Sequence, residues 1–405
     1  MPRFLRLTSV FCSIVTMVLA ILPESLWAAI PMVHQDGTRI VDSDGTPLAL
    51  RGVNLGGWLH WEGWIWGKGI FRSETDVLSK MTELIGPEAT HQFETDVYEK
   101  YITDADIAKI REAGFNSVRV PINRRLLEDD DRPFHYKEDG FRILDRLLDS
   151  CARHRLHVIL DLHSAPGGQA NIATADPGPK SGLLWNSDLN RKRTLALWQA
   201  IASRYRNNPT VAGYDLLNEP NFPDSSALIN LYGDLIAAIR RIDPEHMIIL
   251  EGNSLARDLD LFDHPLAPNI AYSFHMYTWF GDDRKPKLAK YLKIASHSHV
   301  PLWAGEFGEN SYDMIRTTRE MYEGSPDIIA GWCYWTWKKT NTTKYPGLVT
   351  FSISDNWKKT IGWINFSFLK FTPDKEVVKT GIREFLHAAT QDATLDSQMV
   401  AALLH

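Results

Sequence analysis

Eight short apolar runs, separated by helical stretches, recur along the 405-residue chain, at 49–55, 117–121, 157–163, 213–219, 247–253, 270–277, 301–308 and 331–338. Most are continuously apolar instead of alternating, the pattern of parallel strands buried on both faces. Between them, apolar residues repeat at helical spacing. Phe141, Leu144, Leu147, Leu148 and Cys151 share one face, as do Leu195, Trp198, Ile201 and Tyr205, and then Leu228, Leu231, Leu235 and Ile239. Thr103 with Asp106 predicts a capped helix start, flanked by Ile102 and Ile107. Eight strands alternating with helices predict an α/β protein, a single (β/α)8 TIM barrel, over an open doubly wound sheet.

Three features depart from a minimal barrel. Residues 39–50 hold Asp-Gly between apolar stretches and predict an N-terminal hairpin closing the barrel bottom. Two long segments, 164–189 after strand three and 339–371 after strand eight, fall on the face where barrel active sites lie. The second contains Trp357 and Trp363, and both segments are candidate walls of a cleft. No repeat or linker is evident, so residues 29–390 read as one barrel domain and 391–405 as a short tail.

Residues 1–28 read as a cleaved export signal. Arg3 and Arg6 precede an apolar run over 10–22, Pro23 breaks it, and Trp27-Ala28-Ala29 offers a cleavage region. The run is too short for a stable membrane span, so a secreted or periplasmic protein is expected. Forty-four basic against fifty acidic residues leave a net charge of −6, which gives no generic attraction to nucleic acid. Beyond the signal only Cys151 and Cys333 remain, both read as small core residues. No C-x-x-C or H-E-x-x-H pattern occurs, so neither a metal nor a cofactor is expected, and the chain is expected to act as a monomer.

Polar residues at strand ends form a coherent set. Arg119 belongs to strand two, His163 to strand three, Asn218 and Glu219 to strand four, His275 and Tyr277 to strand six, Glu306 to strand seven and Trp335 to strand eight. Glu219 and Glu306 would face each other across the barrel mouth, and glycosidic bond cleavage needs such a carboxylate pair. Asn218 and Glu219 are adjacent, so a regular strand would point them oppositely. Both reach the site only if the backbone distorts there, which Pro220 favours. Cys333, Trp335 and Trp337 fall on one face of strand eight, making Trp335 a candidate sugar floor and Trp337 a second one. The remaining aromatics divide less clearly. Trp198 reads as core, while Trp185, Trp279 and the cluster Trp58, Trp61, Trp64 and Trp66 fit either core or sugar platforms. His154, His157, His246 and His264 read as structural.

The ordered set Arg-Gly-Val-Asn-Leu-Gly-Gly-Trp at 51–58, Asp-Leu-His at 161–163, Asn-Glu-Pro at 218–220 and Glu-Phe-Gly at 306–308 resembles glycoside hydrolase family five. This clan of retaining barrel glycosidases includes cellulases, mannanases and exo-β-1,3-glucanases. The resemblance runs from about residue 40 to 384. It implies Glu219 as acid/base and Glu306 as nucleophile, with Arg119, His163, Asn218, His275, Tyr277 and Trp335 around the reacting sugar. The implied substrate is a β-linked polysaccharide or oligosaccharide, and the 51–58 opening most resembles the exo-β-1,3-glucanase branch. Endo-β-1,4-glucanases of the same family are the first alternative. A non-catalytic carbohydrate-binding barrel, and a metal-dependent hydrolase using Asp161 and His163, are more remote. In a retaining enzyme the two carboxyls should stand about 5–5.5 Å apart, against roughly 6.5–9.5 Å for inversion.

Overall fold

The computed structural model describes residues 30–67, 72–178, 183–279, 281–342, 347–366 and 372–405; the expected export signal lies outside them. Eight strands close into a barrel: β1 Leu50–Asn54, β2 Ser117–Asn123, β3 His157–Ser164, β4 Val211–Asp215, β5 Met247–Glu251, β6 Ile270–Tyr277, β7 Leu302–Gly308 and β8 Ile329–Tyr334. Neighbours in sequence are parallel neighbours in the sheet, and β8 returns to β1. Helices such as Glu138–Arg153, Asp188–Tyr205 and Ser225–Arg240 cover the outside with their predicted apolar faces turned inward, except that Leu195 of the second is only part-buried while Leu197 is buried. The Thr103–Asp106 capping box forms.

The barrel bottom is filled by side chains. Leu50, Ile159, Met247, Ile249, Trp303 and Cys333 pack with Val33 and Ile40 of an N-terminal hairpin, Val33–Asp36 with Arg39–Asp42. That hairpin turns one Asp-Gly pair earlier than expected, at Asp36-Gly37, where Gly37 takes a φ of 59°. The later pair, Asp44-Gly45, builds a second turn in which Asp42 Oδ1 accepts the N–H groups of Asp44 and Thr46. Both pairs carry the same turn chemistry, and only the earlier one has a paired strand on each side.

Residues 391–405 are not a peripheral tail. Thr394–Leu395 pairs antiparallel with Val349–Phe351, which lies parallel to Lys338–Thr340. The helix Ser397–Leu404 then buries Met399, Ala402 and Leu403, one face at helical spacing. Asp396 caps it by accepting the Met399 N–H, and Tyr312 Oη donates to the same carboxylate at 2.7 Å.

A second aromatic core lies between the barrel and its outer helices. Trp66 touches Trp61 at 4.6 Å between ring centres, and Phe385 at 5.5 Å; Phe385 in turn stacks on Trp357 at 4.3 Å. Each indole N–H finds a carbonyl: Trp58 on Tyr98, Trp61 on Trp58, Trp66 on Gly57 and Trp357 on Trp66. Trp58, Trp61, Trp66 and Trp357 are therefore core, since burial of an indole is favourable only with its donor satisfied. Trp357 does not wall a cleft. Cys151 and Cys333 are buried free thiols, as expected.

Candidate active site

Arg119, fully buried in β2, is the hub of the barrel mouth. Its Nε donates to Asp215 Oδ2 at 2.9 Å, and Nη1 to Glu306 Oε1 at 2.7 Å and Asn54 Oδ1 at 3.1 Å. Nη2 donates to Asn218 Oδ1 at 2.8 Å and Glu251 Oε1 at 2.9 Å, with Asp161 Oδ2 at 3.1 Å. A guanidinium has five donors in a fixed fork, which is why one arginine can orient so many acceptors. Burial works against its charge, but the carboxylates of Asp161, Asp215, Glu306 and Glu251 hold it firmly cationic.

The local backbone places both glutamates. β4 ends at Asp215, and Glu219 adopts a left-handed φ of 45°, the distortion that lets adjacent Asn218 and Glu219 both reach the mouth. Gln169 ties this segment to β3, donating to the carbonyls of His163 and Asn218 at 2.8 and 2.7 Å. On the other side, a register shift at Gly305 sets His275 of β6 beside Glu306 of β7. A Cβ at Gly305 would come within 2.5 Å of Ser273 Oγ and 3.1 Å of His275 Nε2, so only glycine allows that approach.

Glu306 is buried and accepts two hydrogen bonds of 2.7 Å, from Arg119 and from Tyr277 Oη. Burial pushes its carboxyl above the ordinary value of 4.5, while His275 and Arg119 pull it back. Two charge-assisted donors make the anion the form this pocket fits. Burial and the Glu306 anion push the Tyr277 phenol well up, so it stays a donor. Glu219 keeps 19% of its side chain exposed, and its Oε1 lies 2.9 Å from His275 Nδ1. One oxygen of each glutamate lies within 4.8 Å of the other. Burial disfavours the His275 cation, yet Glu251 and Glu306 raise it well above 6.5.

His163 Nδ1 lies 2.6 Å from Asp161 Oδ2, and its ring stacks on Trp335 at 5.6 Å and 15°. Despite burial, Asp161 raises it to about 10. Trp335 is held beneath by the 51–58 segment, since a Cβ at Gly56 would meet its ring at 2.9 Å. Trp337 does not share that face. The β8 ladder ends at Tyr334, the alternation stops with it, and Trp337 is buried outside the barrel with Nε1 on Asp106 Oδ1. His246 is satisfied by Asp243 and the Asn208 carbonyl, and burial lowers His157 to about 4; both are structural. Trp185 is buried and stacks on Phe222, whereas Trp279 is exposed beside Tyr277, ring centres 4.3 Å apart.

All eight sequence-predicted residues thus border one mouth, but the carboxylates around Arg119 are more than expected. Asp215 and Glu251 were missed, and Asn54 and Asp161 entered only as members of the 51–58 and 161–163 motifs and, for Asp161, through the metal alternative. Glu251 ends β5, the same signal that marked the others. His60 and Glu62 also border His163: His60 packs on its ring at 4.6 Å, and Glu62 Oε1 lies 3.7 Å from its Nε2.

A closed (β/α)8 barrel with two facing carboxylates at its mouth is the arrangement that glycosidic bond cleavage needs. The family model Cellulase (glycosyl hydrolase family 5) matches residues 73–341, and the chain belongs to that family. It is 39% identical over 336 residues to a β-xylosidase of Phanerodontia chrysosporium, covering 75% of this chain and 70% of that protein. It is 31% identical to a probable glucan 1,3-β-glucosidase A of Emericella nidulans, covering 71% of this chain and 85% of that protein. The catalytic domain of Thermobifida fusca endoglucanase Cel5A superposes with a TM-score of 0.51 at 20% identity, covering 76% of this chain and 86% of that domain. No helix among the described residues is long and apolar enough to cross a membrane.

Proposed function

We propose that the protein is an exported, retaining β-glucanase that cleaves by double displacement, with Glu306 as nucleophile and Glu219 as acid/base. The observation that carries this is the unequal surroundings of the two carboxyls, one buried on Arg119 and Tyr277, the other part-open on His275. One oxygen of each carboxyl lies within 4.8 Å of the other, and this close approach supports the retaining reading. Glu306 attacks the anomeric carbon while protonated Glu219 gives its proton to the leaving oxygen. Glu219 then takes a proton from water as that water breaks the glycosyl-enzyme bond. Asn218, fixed by Arg119, is placed to hydrogen-bond the sugar 2-hydroxyl as charge develops, and Trp335 with His163 floors the ring. Trp279, exposed beside Tyr277, suits the departing sugar.

Exo action on β-1,3-glucan is supported by the 51–58 opening and by the glucan 1,3-β-glucosidase relative, whose length the chain largely covers. Action on β-xylosides is a second reading, supported by the 39% identical relative. A hydrolysis screen on laminarin, carboxymethylcellulose and xylo-oligosaccharides separates them. The expected result is glucose from laminarin ends. Mixed oligosaccharides from carboxymethylcellulose would instead indicate endo-β-1,4 action, and xylose as the main product a xylosidase.

A further inference from the structure

Three parts of the mouth converge on Glu251. It ends β5, is fully buried, and uses its two oxygens for different tasks. Oε2 accepts the Glu219 backbone N–H at 2.6 Å, and this is the residue held at a left-handed φ of 45°. Oε1 accepts from Arg119 Nη2 at 2.9 Å and lies 3.1 Å from His275 Nε2, while His275 Nδ1 faces Glu219 Oε1. One carboxylate therefore grips the backbone of Glu219 directly and its side chain through His275. We infer that Glu251 is a positioning residue for general-acid catalysis, fixing where Glu219 presents its proton to the leaving oxygen. The inference rests on the reading of Glu219 as acid/base.

Chemistry explains why a carboxylate stands here. The Glu219 and Arg119 N–H groups donate to it and the His275 ring pairs with it as a cation, and a carboxylate is acceptor-only with two oxygens to share among them. An amide at this position would turn its own NH2 against at least one of them. Although burial opposes it, His275 and Arg119 hold the Glu251 carboxyl down at about 2, so the anion persists wherever the enzyme works. A left-handed non-glycine residue persists only where its surroundings over-determine it, and the 2.6 Å hydrogen bond to a charged acceptor does this for Glu219.

The test is Glu251→Gln, assayed on β-glycosides of graded leaving-group ability, with Glu219→Ala alongside. A group acting through the acid matters only when the leaving group needs a proton. Expected for Glu251→Gln is a loss of kcat/KM of about 100-fold or more on laminarin and alkyl glycosides, and of about threefold or less on the dinitrophenyl glycoside. Glu251→Asp keeps the charge but withdraws its reach, and should show the same split at smaller size. It carries the comparison if Glu251→Gln lacks a cooperative thermal transition. Equal losses on all leaving groups, with Glu219→Ala still discriminating among them, would reduce Glu251 to a structural residue and overturn the inference. If Glu219→Ala itself fails to discriminate, the acid/base reading falls and this inference with it.

Discussion

Arg119 and Trp66 are both fully buried, one inside the barrel mouth and the other between barrel and helices, and their surroundings are opposites. Trp66 is ringed by Trp61, Phe93, Tyr101, Trp357 and Phe385, with one polar atom that a carbonyl satisfies. Arg119 is ringed by four carboxylates and two amide side chains. Desolvating so many charges costs about as much as their attraction returns, and apolar replacements of such networks are often neutral or stabilising. The aromatic region therefore holds the fold, and the charged one places an anion at Glu306 and keeps it there. Burial alone does not distinguish core from site; the kind of partner does.

The largest effect that would sharpen this contrast is on turnover. Glu306→Ala should lose on the order of 10⁴-fold or more in kcat/KM on every β-glycoside while remaining folded. Trp66→Ala should do the reverse, losing about 3–5 kcal/mol of stability with activity per folded molecule little changed. A Glu306→Ala variant that retains activity would erase the distinction.

Next comes the pH dependence of the two kinds of stability. Arg119→Met should cost about 3–5 kcal/mol, because it strands buried carboxylates. Their folded pKa values then rise above the unfolded ones, so the folded state binds the extra protons and its deficit grows as pH rises. Thermal melts should therefore show a larger deficit for Arg119→Met at about pH 7 than at about pH 5, whereas that of Trp66→Ala stays constant. Equal behaviour of the two variants would mean that the network is not electrostatic.

A smaller effect concerns Glu306 itself. Its carboxyl is raised by burial against the pull of His275 and Arg119, and attack requires the anion. Activity on a dinitrophenyl glycoside should fall as pH drops through a midpoint above 4.5, the ordinary glutamate value. A midpoint below it would mean that His275 and Arg119 outweigh burial. Smallest is Trp279→Ala, which removes one exposed ring; KM on oligosaccharides should rise about 2–10-fold with kcat nearly unchanged.

Much of this was legible in the sequence, for local reasons. Strand and helix periods, the Thr103 cap and the strand-end positions of Glu219 and Glu306 are readable from neighbours within a few residues. Asp215 and Glu251 end strands as the others do, but their partner Arg119 lies 96 and 132 residues away, so nothing local tells that these strand-end carboxylates serve the mouth. The tryptophans at 58–66 carried the same ambiguity: only packing against Phe93, Trp357 and Phe385 marks Trp61 and Trp66 as core, and only the buried bond to the Tyr98 carbonyl marks Trp58. Trp337 misled because period two was extended past Tyr334, where the ladder ends. Residues 391–405 looked peripheral because their strand partner, Val349–Phe351, is some forty residues upstream.

The central claim is that Glu306 and Glu219 divide nucleophile and acid/base between them, and azide rescue tests it most directly. An activated aryl β-glucoside departs without protonation, so Glu219→Ala should form the glycosyl-enzyme and then stall. Azide should accelerate that variant and release β-glucosyl azide, because it attacks the covalent intermediate. With Glu306→Ala no intermediate forms, and azide entering the vacated space should release α-glucosyl azide by direct displacement. The account predicts this pair of products, read by NMR. The opposite pair would mean that the roles are exchanged, and no rescue of either folded variant would mean that these two carboxylates do not carry the reaction.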